Sequence, residues 1–147
     1  MIRVYLDNCC YNRPFDEQDS IKIRIETESK IYIQNLIKQR KIELVWSYML
    51  EQENEDNPFE DKKINIQEWA EIAVFDISES EEILITAEEY FKLGFKNKDA
   101  IHIACAIHSK ANFFITTDKG ILKKAFQITG LKIINPIDFL DIEEETF

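Results

Sequence analysis

The chain has 147 residues, 45% of them hydrophobic and 12% aromatic, with 18 Lys and Arg against 28 Asp and Glu for a formal net charge of −10. That length suits one domain with a real hydrophobic core and leaves little room for two, and the apolar content excludes a disordered chain. No apolar run nears the roughly 20 residues that span a bilayer, and the negative charge argues against non-specific binding to a phosphate backbone.

Taken in chain order, strand and helix signals alternate, which is the pattern of a parallel α/β sheet. The opening MIRVYLDNCC lacks the basic-then-apolar build of a signal peptide and reads as a buried first strand over residues 2–6. After a loop containing Asn12-Arg13-Pro14, Ile21, Ile25, Ile31, Tyr32 and Leu36 recur at helical spacing and predict a helix over 19–40, capped by Asp19 or Ser20. Residues 42–46 predict a second strand. A helix starting at Ser47 then carries Met49, Leu50 and Glu53 until Asn57-Pro58 breaks it. A helix follows over 61–70, then a short strand over 73–77. Ser78 or Ser80 would cap the next helix, which runs through Ile83, Ala87, Tyr90 and Phe91 to Gly94. The helix over 98–109 is apolar almost all round and should be buried. A strand at 113–116, a helix at 118–126, a strand at 132–134 and a helical turn at 136–140 complete a single domain over 1–140, and 141–147 reads as an acidic C-terminal tail.

Cys9 and Cys10 are adjacent and Cys105 is distant, so neither a disulfide framework nor a paired metal-ligand spacing is suggested. An odd cysteine count fits a reducing, cytoplasmic setting. Cys105, within Ala104-Cys105-Ala106-Ile107, reads as a small core residue, and neither Cys9 nor Cys10 stands in a thiol-activating motif. The basic residues are uneven. Residues 1–41 hold Arg3, Arg13, Lys22, Arg24, Lys30, Lys38, Arg40 and Lys41 against six acids, which makes this part the side better suited to nucleic acid. A solvated helix face accounts for most of these charges, Arg13 excepted.

Four acids stand at the end of an apolar run or at the start of a helix-like one: Asp7, Glu53, Asp99 and Asp118. Singly, each has a plain reading. Asp7 would be a turn residue, Glu53 would share an exposed helix face with Glu51, Glu55 and Asp56, and Asp99 and Asp118 would cap helices. Together they read differently, because acids that close separate parallel strands converge where such sheets bind ligands. Clustered carboxylates repel one another, and a hard divalent cation with oxygen ligands relieves the repulsion. A Mg²⁺ or Mn²⁺ site of that kind serves phosphoryl chemistry, which points to a metal-dependent nuclease. Asp99 also opens a helix whose almost only other polar residue is His102, so its charge needs a partner.

Four segments carry a family resemblance that spans almost the whole chain: Val4-Tyr5-Leu6-Asp7-Asn8, Ser47-Tyr48-Met49-Leu50-Glu51-Gln52-Glu53, Lys98-Asp99-Ala100-Ile101-His102-Ile103-Ala104, and Phe114-Ile115-Thr116-Thr117-Asp118. They resemble the PIN domain, the nuclease class that includes VapC-type toxins. The third segment is the most specific, and its spacing to Thr116-Thr117-Asp118 matches the family.

The resemblance implies a three-layer α/β/α sandwich around a central parallel sheet of four or five strands. It also implies that Asp7, Glu53, Asp99 and Asp118 share one cleft holding one or two Mg²⁺ or Mn²⁺ ions. Asp7 and Asp99 are expected to bind directly, Asp118 and Glu53 through water or to act in proton transfer. Asn8 and Thr116 are expected to fix carboxylate orientation. Glu53 is taken as the second acid because similar proteins tend to keep six residues between the Ser after the strand and the Glu, with Glu51 as its competitor. Asn12-Arg13-Pro14-Phe15 resembles a subgroup of the family, and Asn12 and Arg13 are expected to contact substrate phosphate, against a reading as a loop held by Pro14 over the core. His102 shares a helix face with Asp99 and reads as a core histidine hydrogen-bonded near the site, with catalysis as the alternative.

The implied function is a divalent-metal-dependent endoribonuclease that hydrolyses RNA phosphodiester bonds as the toxin of a toxin–antitoxin pair. RNA is the substrate, a cognate antitoxin the partner and a homodimer the assembly. Two alternatives stay open. A PIN-fold binding protein with vestigial or no catalysis is mildly favoured by the acidic surface and opposed by the four acids. A DNA-directed nuclease or small-substrate phosphohydrolase is not separated from RNA cleavage by anything in the sequence.

Overall fold

Runs such as Val4-Tyr5-Leu6, Leu44-Val45-Trp46 and Phe113-Phe114-Ile115 are uncharged and rich in β-branched and aromatic residues. They can be buried on both faces only in a sheet covered on each side. In the computed structural model, which describes residues 1–11 and 20–146, these runs form the centre of the sheet. Strands β1 (Arg3–Leu6), β2 (Glu43–Ser47), β3 (Phe75–Ile77), β4 (Phe113–Ile115) and β5 (Lys132–Ile134) pair in parallel in the order β3-β2-β1-β4-β5. Helices α1 (Ile21–Lys38), α2 (Tyr48–Glu55), α3 (Glu60–Ile72), α4 (Glu81–Lys92), α5 (Asn97–His108), α6 (Lys119–Lys124) and α7 (Pro136–Thr146) complete a three-layer α/β/α fold. This is the expected class, with five strands. Tyr5, Trp46, Phe114 and Phe139 are among the largest fully buried side chains, whereas the edge strands β3 and β5 keep exposed positions.

The strand order positions the site. From β1 the chain moves outward through β2 and β3, then returns through α4 and α5 to the other side of β1 as β4. The connections leaving β1 and β4 therefore diverge, and a crevice opens at the carboxyl ends of these neighbours. Leu6 is in register with Ile115, and the Asp7 N–H extends the ladder by donating to the Ile115 carbonyl at 3.0 Å.

Three of the helix starts, those of α2, α4 and α6, have a visible cause. The hydroxyls of Ser47 and Ser80 accept from the Leu50 and Ile83 amides, and a carboxylate oxygen of Asp118 accepts from Ile121. Asp99 does not cap its helix, because α5 begins two residues earlier with Lys96 at the cap, which leaves Asp99 in the first turn. The segment read as a helical turn at 136–140 continues to Thr146. Acids near a helix C-terminus oppose the dipole, and packing along α1, with buried Phe139 and an Asn135 amide donating to Glu26, sustains the helix instead.

Candidate active site

One hydroxyl joins the two strand ends. Thr116 is fully buried, directly after β4, and its Oγ1 donates to Asp7 Oδ2 at 2.7 Å while accepting from the Asp118 backbone N–H at 3.0 Å. Asp7 is itself buried, and its Oδ1 accepts from the Asn8 amide at 2.8 Å, where it caps a 3₁₀ turn over Asn8–Cys10. That turn is held from α1, since Lys30 Nζ donates to the Cys9 carbonyl at 3.0 Å and Gln34 Nε2 to the Cys10 carbonyl at 2.8 Å. Asn8 thus reaches Asp7 through its backbone, while its side-chain Oδ1 is buried with no hydrogen-bond partner among the described residues.

Asp99 lies within electrostatic reach of Asp7 and Asp118. Burial raises its carboxyl above the ordinary aspartate range, and the nearby negative charges of Asp7 and then Asp118 raise it further. His102 and Lys96 offset this in part. Asp118 is exposed and spends Oδ1 on the Ile121 amide at 3.0 Å. These acids come from residues 7, 99 and 118, yet the fold sets Asp7 and Asp118 close enough to perturb Asp99.

Glu53 joins this group at one remove. Its Oε1 accepts from Nε2 of His102, the residue one helical turn after Asp99, and Glu53 is not among the charges that shift Asp99. Glu51 faces elsewhere. It accepts from the Trp46 indole at 2.8 Å and from the Gln67 amide at 2.9 and 3.0 Å, and it helps raise the carboxyl of Asp76, whose shift is caused first by burial. Asn12 and Arg13 lie outside the described residues.

The thiol of Cys9 packs against the same corner, 3.7 Å from Asp7 Oδ2 and from Thr116 Oγ1, and 4.0 Å from Cys10 Sγ. The contact with Cys10 holds the Cys9 thiol down at about 7, against burial and the charge of Asp7. Cys10 is buried, its thiol donating to the Ile115 carbonyl at 3.3 Å, and all three cysteines are free.

Oxygen donors that repel one another suit a hard divalent cation. Among the described residues, however, no three His, Cys, Asp or Glu side chains stand close enough together to chelate one ion as placed. The fit therefore lies in donor type and shared charge rather than in a closed ligand shell. Tyr5 and Ser47 escaped the sequence reading of the site: Tyr5 OH lies 2.5 Å from His102 Nδ1 and 2.6 Å from Ser47 Oγ. A tyrosine inside an apolar strand carries no sequence signal that separates it from core.

The PIN domain model matches residues 4–127, and the chain belongs to this family. No curated protein matches the chain by sequence. Among solved structures, it is similar to VapBC2 from Rickettsia felis bound to a DNA fragment from their promoter, with TM-score 0.58 and 15% identity over 91% of this chain and 98% of that one. It is also similar to VapBC-1 from nontypeable Haemophilus influenzae, with TM-score 0.55 and 16% identity over 92% of this chain and 98% of that one.

Proposed function

We propose that this protein is a divalent-metal-dependent endoribonuclease and the toxin of a toxin–antitoxin pair. The carrying observation is the convergence of Asp7, Asp99 and Asp118 at the diverging ends of β1 and β4, with Asp99 raised by burial and by the other two. Membership of the PIN family supports nuclease chemistry, and the VapBC structures support an antitoxin partner. Asp7, Asp99, Asp118 and Glu53 would hold Mg²⁺ or Mn²⁺. Such an ion, when bound, lowers the pKa of its water and stabilises charge on the phosphate.

The remaining work falls to the chain. Thr116 Oγ1 and the Asn8 amide each take one oxygen of Asp7, which fixes the carboxylate plane. The Ile121 amide takes Oδ1 of Asp118, so Oδ2 is the oxygen available to the cleft. His102 holds Glu53. Asn12 and Arg13, next in the sequence after Tyr11, would meet substrate phosphate.

The test is Mn²⁺ binding by calorimetry alongside RNA cleavage, comparing wild type with Asp7→Asn and Asp99→Asn. Both variants should bind Mn²⁺ more weakly and lose most cleavage while staying folded. Cleavage by either at the wild-type rate would refute the site. The net charge of −10 favours a second reading, a PIN-fold protein without catalysis. Wild type that neither binds nor cuts any of a varied set of RNAs would establish that one.

A further inference from the structure

A buried chain of polar side chains runs beneath the acids and touches four elements. Ser47 Oγ, at the end of β2, lies 2.6 Å from Tyr5 OH on β1, and Tyr5 OH lies 2.5 Å from His102 Nδ1 on α5. His102 Nε2 then meets Glu53 Oε1 on α2. Ser47, Tyr5 and His102 are 0%, 0% and 1% exposed, so they are shielded from bulk solvent. The tyrosine ring is held in place by stacking on Phe114, centroids 5.3 Å apart with 9° between planes, and by an edge contact with the His102 ring at 5.6 Å.

The order of donors follows from the ends of the chain. An ionised carboxylate only accepts, so Nε2 carries a proton and donates to Glu53. In a neutral imidazole Nδ1 must then accept, which makes Tyr5 OH the donor to it and Ser47 Oγ the donor to Tyr5. Ser47 Oγ still accepts from the Leu50 amide at 3.3 Å. In a protonated ring the two hydroxyl bonds reverse, but the bond from Nε2 to Glu53 keeps its direction. With the ring neutral, each donor of the chain meets an acceptor, and a fully satisfied buried network has one geometry.

We propose that His102, locked by the Tyr5 and Ser47 hydroxyls, is the positioning residue that holds the Glu53 carboxylate for metal. The inference rests on the metal-dependent reading above and deepens it. A free glutamate has several rotamers to lose on binding an ion. Here α5 supplies both Asp99 and, one turn later on the same face, the imidazole that fixes Glu53. The acid of α2 is thereby held relative to the acid of α5 through the strand beneath them, and not by the path of α2 alone.

The experiment uses the full chain and measures Mn²⁺ affinity by calorimetry and the Mn²⁺ dependence of RNA cleavage. The variants are Tyr5→Phe, His102→Leu and His102→Gln, each with and without Glu53→Gln, with folding checked by thermal melting. Tyr5→Phe keeps the ring stacked on Phe114 and removes one hydroxyl. Loss of a hydrogen bond that serves a charged group should weaken Mn²⁺ binding about tenfold in Tyr5→Phe and His102→Leu. His102→Gln, whose amide can donate to Glu53, should recover much of the loss, and cleavage by Tyr5→Phe should recover at saturating Mn²⁺. With Glu53→Gln already present, neither Tyr5→Phe nor His102→Leu should weaken binding further. Equal effects with and without Glu53, or no effect of Tyr5→Phe when Glu53→Gln does weaken binding, would overturn the positioning role alone. Wild-type Mn²⁺ affinity in Glu53→Gln would instead overturn the assignment of Glu53 to the metal, and the positioning role with it.

Discussion

Asp99 is costly to ionise where it stands, and the sign of that cost gives a test. Its folded carboxyl lies above the ordinary range through burial and then through Asp7 and Asp118. Between the ordinary aspartate value, about 4, and the raised one, the folded chain binds more protons than the unfolded chain, so stability falls as pH rises through that window. Above it the loss is complete. Asp99→Asn should therefore melt higher than wild type at neutral pH in chelator, with the difference vanishing below about pH 4, while cleaving little RNA. A variant that melts lower across the whole range would contradict the repulsion. The two glutamates of α2 separate in the same spirit. Glu53→Gln should lose cleavage, whereas Glu51→Gln should keep it and lose about 1–2 kcal/mol of stability in denaturant titration, because Glu51 serves the Trp46 indole and Gln67. The choice of Glu53 had rested on family spacing, since helix periodicity puts the two on different faces without saying which face meets the cleft.

Strands and helices read well from the chain wherever their cause was local. Runs of β-branched and aromatic residues marked β1, β2 and β4, and Ser47 marked the start of α2 through its hydroxyl cap. Errors arose where a distant element decides. The length of α7 depends on α1, and Asp99 sits in the first turn because α5 opens at Asn97, with no side-chain cap to announce it. The Thr116 link between β1 and β4 spans 109 positions and follows only from strand order, which no local pattern contains. Two substitutions test these devices. Thr116→Val removes the donor to Asp7 Oδ2 and the acceptor for the Asp118 amide, and should cost about 1–3 kcal/mol together with most cleavage. Ser80→Ala removes only the cap of α4 and should cost about 1 kcal/mol with cleavage unchanged.

The charge of the whole molecule limits how it could meet the proposed RNA substrate. Several cations of the basic N-terminal part are engaged within the protein: Arg3 pairs with Glu43 at 2.9 Å, Lys30 binds the Cys9 carbonyl and Lys38 lies over the Trp69 ring. RNA should then be held along a narrow groove near Arg13 and the start of α1. Neutralising no more than about four phosphates gives a log–log salt slope no steeper than about −3 on a single strand. Binding measured across a salt series, with Ca²⁺ replacing Mg²⁺ to slow cleavage, should show that shallow slope, and a steep one would exclude the narrow groove. Selectivity would come from RNA shape and unstacked bases. The same acidity suits an antitoxin whose Arg or Lys enters the cleft in competition with metal. Composition disclosed this charge at once, but only the fold shows which cations are already engaged.

The central position of β1 also has a meaning in time. The strand made first lies between β2 and β4, and the carboxylates arrive in the order 7, 53, 99, 118 as the chain is synthesised. Asp7 cannot gain its Thr116 hydroxyl, nor Asp118 stand beside it, until β4 has emerged and docked, a late, long-range pairing of the kind that forms slowly. A nascent chain on the ribosome, surrounded by RNA, would carry an unfinished site until β4 and Asp118 had emerged.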